Sequence, residues 1–489
     1  MNKLSSSQWA LCLILSAFSV VTVYLQSQKC LWVDECYTYY GVLHDSFLPF
    51  YDSITSGINF SPPLYFFINW VVQLLIPTSI ELLRYQSLFW TVVGIIFVFF
   101  VCSRAFSTSS ATIGLILLLA QSNLLLEQSL EARHYTMFFA LSAWVIYQLQ
   151  CLQYSKGTIY QNTTLSFLAH VSLCLVHYLG IIFSGLLAIS LIFTNTNKPF
   201  HQRVPSSIYL SWVLVIPTYL FLLNRQSSHL GNWPRPNGLE NLLSSINDSF
   251  FLISIIIPIC IALCLKNLNL SDFFSKKKKI TFSNQAVLLT SLLWFLTPVC
   301  FWCLSHTTNI NLFKDRYFIP KEVGAVILIT FILDIITRSV SNSVSKKSTK
   351  IPIWGTLCFA ISMLLVSSKR LAFAMEPERN YHNFFLINEK INHSKIPVIH
   401  TGDPSLLVNL YRNKNNHFLL IHSNETHSTY KTFSKKIPII SESNFRTLKE
   451  FIFIGDQDLV ASFINYPYQI LSENYINPFS KLKALHISR

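Results

Sequence analysis

Two adjacent carboxylates, Asp34 and Glu35, sit in the run Leu31-Trp32-Val33-Asp34-Glu35-Cys36-Tyr37, directly after the first long apolar segment of the chain. Acidic side chains beside hydrocarbon are costly, so a pair placed there points to function. A carboxylate in that position can take the proton of an incoming hydroxyl. The chain also supplies cations that could hold the other reactant. They are Arg84 in Glu81-Leu82-Leu83-Arg84, Arg133 in Glu131-Ala132-Arg133-His134-Tyr135, and Lys314 and Arg316 in Lys314-Asp315-Arg316-Tyr317. Arg grips phosphate with a planar donor fork and Lys acts as a point charge. His134, Tyr135, His177, Tyr178 and Tyr317 complete the polar and aromatic set at the ends of apolar segments. This inventory suits a hydroxyl attacking a phosphate-linked carbon while cations stabilise the departing phosphate.

Each piece also has a plainer reading. The acidic pair could be a solvated loop, and Arg133 could snorkel from a helix end. Arg84, Lys314 and Arg316 could simply anchor spans, while His177 and Tyr178 could be interfacial aromatic anchors. His134 and Tyr135 read as wall residues. What favours function for Asp34 and Glu35 is their placement and their companions.

The elements that must position these residues are membrane spans. Of 489 residues, 51% are hydrophobic and only 12% are charged, which marks a polytopic membrane protein. The formal charge of +14 would fit nucleic-acid binding, but the basic residues sit in short clusters between apolar segments, such as Lys276-Lys277-Lys278-Lys279. That pattern is cytoplasmic-loop topology facing anionic lipid, so no nucleic-acid partner is expected. Most of the 11 Cys lie inside apolar segments as small buried hydrophobes. Cys30 and Cys36 bracket the acidic pair, and sequence leaves open whether they pair. Cys300-x-x-Cys303 reads as helix packing rather than a metal site.

Residues 62–76 are apolar but short for a span, which suits a helix lying in the interface. If they crossed, the Lys276-Lys277-Lys278-Lys279 cluster and a second one of Arg338, Lys346, Lys347 and Lys350 would fall outside; lying in the interface, they leave both clusters inside. The spans are then 9–27, 83–102, 108–126, 133–152, 162–178, 180–195, 207–223, 249–265, 284–304, 321–339 and 351–367, with a break near Gly180 dividing the fifth from the sixth. This predicts a mainly α, polytopic bundle of about eleven spans over residues 1–369, with juxtamembrane helices in a first external loop, 28–82. Residues 370–489 read as a small extracytoplasmic α/β domain. Its strand candidates are 395–400, 417–421, 437–440 and 451–454, with helical patterns at 405–412 and 444–450. There is no Gly-rich phosphate loop.

At Trp32-Val33-Asp34-Glu35, Pro62-Pro63-Leu64-Tyr65, Glu81-Leu82-Leu83-Arg84, Glu131-Ala132-Arg133-His134-Tyr135, His177-Tyr178 and Arg316-Tyr317-Phe318-Ile319-Pro320, the chain resembles the GT-C glycosyltransferases of the protein O-mannosyltransferase and aminoarabinose-transferase type. Order and approximate spacing match through Pro320. The resemblance implies a bacterial inner-membrane enzyme that takes a sugar from a polyprenyl-phosphate carrier on the outer face. It transfers that sugar with inversion to a lipid, glycan or protein acceptor. It also implies Asp34 as general base, Glu35 in support, and Arg84, Arg133, His134, Tyr135, His177, Tyr178, Lys314, Arg316 and Tyr317 as substrate contacts. No cofactor is certain; a divalent metal is the one candidate, without assigned ligands. Many relatives carry His before the Pro-Pro pair, where this chain has Ser61. A transporter or lipid flippase is the alternative class, and it would place ionisable residues near span midpoints.

Overall fold

The structure is a computed structural model that describes residues 6–29, 33–55, 61–154, 159–226, 238–246, 282–307, 313–341, 397–400, 417–420, 439–440, 444, 448, 450–456, 468–470 and 482–488. The helices are α1 (Ser6–Gln28), α2 (Val33–Val42), α3 (Phe47–Thr55), α4 (Leu64–Leu75), α5 (Ile80–Ala105), α6 (Thr108–Gln121), α7 (Asn123–Ser129) and α8 (Tyr135–Tyr154). They continue as α9 (Ile159–Val176), α10 (Gly180–Thr194), α11 (Ser206–Gln226), α12 (Gly238–Ile246), α13 (Phe282–Phe295), α14 (Thr297–Thr307) and α15 (Pro320–Ser341), with a short 3-10 turn at Asp315–Phe318.

Five described helical stretches are long and apolar enough to cross a membrane: Gln8–Gln28, Ile80–Ala105, Tyr135–Gln153, Ser206–Gln226 and Asn284–Thr307. The chain is a multi-pass membrane protein. At 26 residues, α5 reaches roughly 39 Å, more than the ~30 Å of hydrocarbon. Glu81 in its first turn and Arg104 in its last complement the helix dipole. By contrast α4, with 12 residues, is apolar but too short to cross, as its sequence suggested. The expected spans 249–265 and 351–367 lie outside the described residues.

These residues fall into two compact units. The first holds α1 through Tyr24, Ser61–Tyr65, and the helices from Glu81 through α15. Within it α8 is the most buried of the five candidate spans, 78% against 33–39% for the others, and the middle of α6, residues 110–120, is buried throughout. Around α8, helix α9 packs on α11, and α15 packs on α6 and α13. Gly324 lets α15 approach the Ser291 carbonyl of α13, where any Cβ would collide.

Two features of this unit shape the site. The expected span 108–126 is broken, because α6 and α7 meet at 67°. The cause is Ser122: its side chain accepts the Leu125 amide at 3.1 Å, capping α7 as α6 ends. The second feature is the break near Gly180, where α9 stops at Val176 and α10 starts at Gly180. A side chain at Gly180 would strike the Leu173 carbonyl and the Cys174 backbone, so this tight elbow needs glycine.

The second unit holds residues from Leu25 through α3, Phe66–Ile80, and the C-terminal strands. The first-loop helices therefore group with the strands rather than with the helices that follow them in sequence. Trp70 stacks on Phe50 at 5.0 Å, and the Trp70 and Gln73 side chains both donate to the His44 carbonyl, at 2.8 and 2.7 Å. The strands are β1 (Val398–His400), β2 (His417–Leu420), β3 (Ile439–Ile440), β4 (Glu450–Asp456), β5 (Tyr468–Ile470) and β6 (Leu482–Ser488). They form one sheet in the order β3-β2-β1-β4-β6-β5. Pairing from β3 to β4 is parallel, while β4–β6 and β6–β5 are antiparallel. The first four strands fall at the sequence candidates. The expected helix at 405–412 lies outside the described residues, as do Cys30 and four of the seven residues of the one at 444–450, whose last residue, Glu450, opens β4 instead.

Candidate active site

The acidic pair opens α2, in the second unit. Both carboxylates lie in its first turn, where the exposed amides of a helix N-terminus favour negative charge. Consecutive helix positions point about 100° apart. Glu35 is fully buried and Asp34 is half-buried, so of the two Asp34 is the one open to a reactant. The Thr38 hydroxyl donates to the Asp34 carbonyl at 3.1 Å, steadying that turn.

The cationic and aromatic residues converge in the first unit, at the start of α8. The 67° turn into α7 delivers Ser129 and the loop 130–134 to this place. Ser87 and Thr91 of α5 fix that loop: the Ser87 hydroxyl donates to the Glu131 carbonyl at 2.5 Å, and Thr91 bonds the Ser129 hydroxyl at 2.9 Å. Arg84 sits three and seven residues before them, on the same buried face of α5.

The His134 and Tyr135 rings lie 4.3 Å apart, and His134 and His177 5.3 Å apart. His177 stacks on Phe138 at 4.8 Å and meets the edge of Tyr317 at 5.1 Å. Tyr65 closes the other side, 6.1 Å from His134. Ser61 Oγ approaches His134 Nε2 at 3.5 Å, occupying the position where many relatives of the resembled family carry His. Arg133 and Arg316 place their guanidinium carbons 6.0 and 5.7 Å from the Tyr135 ring centre, within cation–π range. The result is a wall of imidazole and phenol flanked by two guanidiniums drawn from distant parts of the chain.

Hydrogen bonding sets the state of the central ring, while the arginines bring positive charge beside it. The Leu179 amide donates to His177 Nδ1 at 3.1 Å, so the neutral ring keeps its proton on Nε2.

The structure thus assembles Arg133, His134, Tyr135, His177, Arg316 and Tyr317. Lys314 is half-buried and precedes the 3-10 turn two residues before Arg316. Tyr178 departs from its neighbour: it packs on Tyr219 at 5.1 Å and donates to Gln226 Oε1 at 2.7 Å, both on α11. Adjacent residues at the end of a helix diverge, so His177 faces the cluster while Tyr178 faces α11. Among the described residues, no three His, Cys, Asp or Glu side chains gather as a metal would require, so the candidate divalent ion finds no ligand set there.

Sequence reasoning passed over Lys321 and Glu322, which are 3% and 2% exposed at the start of α15. Lys321 Nζ lies 3.7 Å from Glu322 Oε1 and donates to the Ser245 carbonyl near the end of α12. The available signal was two charges opening an apolar span immediately after Pro320. Asp334, deeper in α15, was likewise overlooked; it accepts the Ser107 amide at 2.9 Å, at the N-cap of α6.

The same architecture recurs in solved structures. ArnT from Cupriavidus metallidurans bound to undecaprenyl phosphate matches with a TM-score of 0.66 and 10% identity, over 99% of this chain and 98% of that one. Its apo state matches at 0.65 with the same identity and coverage. An oligosaccharyltransferase from Archaeoglobus fulgidus, in the apo form, gives 0.46 at 11% identity, over 91% of this chain and 69% of that one. No family model matches the chain, and no curated protein matches it by sequence. At this identity the shared property is the fold, and the fold is of the GT-C type. The likeness to ArnT extends over nearly the whole of both chains.

Proposed function

We propose that this chain is an integral membrane glycosyltransferase that moves a sugar from a polyprenyl-phosphate carrier to an extracytoplasmic acceptor. The observation that carries the reading is the pair of guanidiniums flanking the Tyr135 wall, in a fold shared with a protein seen bound to undecaprenyl phosphate. In the proposed reaction an acceptor hydroxyl gives its proton to the Asp34 carboxylate as its oxygen bonds the anomeric carbon. The bond from that carbon to the phosphate oxygen breaks, and the electron pair leaves with the lipid phosphate. Attack opposite the leaving group inverts the anomeric centre. Arg133 and Arg316, with Lys314 and Arg84, hold the departing phosphate. Glu35, buried beside the base, fixes the turn. The rings of His134 and His177 offer hydrogen bonds to the sugar.

In this reading eleven spans place the N-terminus inside the cell and residues 370–489 outside the inner membrane. The acceptor is a lipid, a glycan or a protein. Membrane vesicles containing the protein and supplied with sugar-labelled polyprenyl phosphates test the proposal. Label that becomes covalently attached to an acceptor supports it. Label that crosses the bilayer still bound to its carrier would replace it with a flippase.

A further inference from the structure

The elbow between α9 and α10 poses a problem of its own. It carries His177, the ring at the centre of the aromatic wall, yet it is a helix end, and helix ends leave backbone carbonyls without internal donors. Here one carbonyl of that helix end, that of Cys174, is met by a hydroxyl from another helix, and the same hydroxyl lies within reach of the His177 carbonyl. The hydroxyl of Tyr219, on α11, lies 2.5 Å from the Cys174 carbonyl oxygen and 3.1 Å from that of His177. Tyr219 is itself buried, 7% exposed, in an apolar cluster with Cys174 and Val215. Its ring is braced by the edge of Tyr178, whose own hydroxyl is tied to Gln226, two turns further along the same face of α11.

The same elbow fixes the His177 ring. The amide that bonds His177 Nδ1 belongs to Leu179, two residues on, and the His177 carbonyl accepts the Gly180 amide at 2.8 Å. The Tyr219 hydroxyl therefore sits on the backbone that sets where the Leu179 amide points. Nothing in the sequence motif containing His177 and Tyr178 refers to α11, which makes Tyr219 a contribution from outside the resembled pattern.

We infer that Tyr219 is a positioning residue for His177: its hydroxyl clamps the end of α9 so that the imidazole presents an Nε2–H to the substrate wall. The chemical consequence is a single neutral tautomer. A ring free to exchange tautomers would offer an acceptor half the time where a sugar hydroxyl or phosphate oxygen needs a donor. The inference rests on the proposed glycosyl transfer for its purpose, and on the elbow geometry alone for its mechanism.

Tyr219→Phe removes the hydroxyl and keeps the ring that packs on Tyr178. Tyr178→Phe is the control, because it cuts the tie to Gln226 and leaves both carbonyls of the elbow capped. The decisive reading is the ring-nitrogen NMR of the full-length protein with 15N-labelled histidine, the His177 signals being assigned by their loss in His177→Gln. Wild type and Tyr178→Phe are expected to show one neutral tautomer protonated on Nε2; Tyr219→Phe is expected to show Nδ1 shifting toward a protonated, exchanging nitrogen. In the transfer assay Tyr219→Phe should lower kcat by about tenfold, with KM for the labelled carrier little changed. An unaltered His177 tautomer in Tyr219→Phe, or equal changes in both variants, overturns the inference. The NMR result stands whether or not the protein transfers sugar, so failure of the clamp and failure of the glycosyltransferase reading are separable.

Discussion

Arg133 and Arg316 reach Tyr135 from opposite directions in sequence, with guanidinium carbons 6.0 and 5.7 Å from its ring centre. A guanidinium used this way does two things that an ammonium cannot: it stacks on the ring and keeps a fork of donors for phosphate oxygens. Arg316→Lys should preserve charge yet lose roughly tenfold or more in kcat/KM for a polyprenyl-phosphate sugar, read by steady-state label transfer. Unchanged kinetics would reduce Arg316 to an anchor.

At the scale of elements, α12 shows how a buried charge organises a membrane helix end. Its first residue, Gly238, gives its carbonyl to Trp302 Nε1 of α14 at 3.0 Å, and near its last turn Ser245 gives its carbonyl to Lys321. Leu239 and Leu243 remain exposed one turn apart. Lys321→Met would remove the cation 3.7 Å from buried Glu322 and release the end of α12. A loss of about 3–5 kcal/mol is expected, seen as a lower Tm, with Lys321→Arg recovering most of it. A Lys321→Met protein as stable as wild type would show that the pair carries no weight. Some of these elements were legible in sequence and some were not. Length alone marked α4 as too short to cross, and the glycine at 180 marked the elbow between α9 and α10. The break between α6 and α7 was hidden because hydropathy is continuous across Ser122; what ends the helix is a side-chain hydrogen bond, which apolar periodicity does not register. Tyr178 was paired with His177 because they are neighbours in sequence, whereas the helix end turns them toward different partners. Lys321 was missed because it was taken as the first residue of the expected span 321–339, with no role of its own.

At the scale of the whole molecule, cations far apart in sequence come together on one interior helix, α8, and the acidic turn of α2 belongs to a unit that also contains the C-terminal sheet. That the chain is a mostly helical, multi-pass membrane protein was readable from composition, since long apolar segments report on burial in lipid. The convergence of Arg133 with Arg316 was readable only as shared sidedness, because contact between distant helices depends on how they pack. The central claim is that this fold transfers sugar from a lipid phosphate with Asp34 as the base. It is tested most directly by reconstituting wild-type and Asp34→Asn proteins in liposomes with a labelled polyprenyl-phosphate sugar and an acceptor, and counting free polyprenyl phosphate against glycosylated product. The account predicts equal amounts of both from wild type and at least about a hundredfold slower release from a correctly inserted Asp34→Asn protein. Full-rate transfer by Asp34→Asn, or no release from wild type with any such carrier, would contradict it.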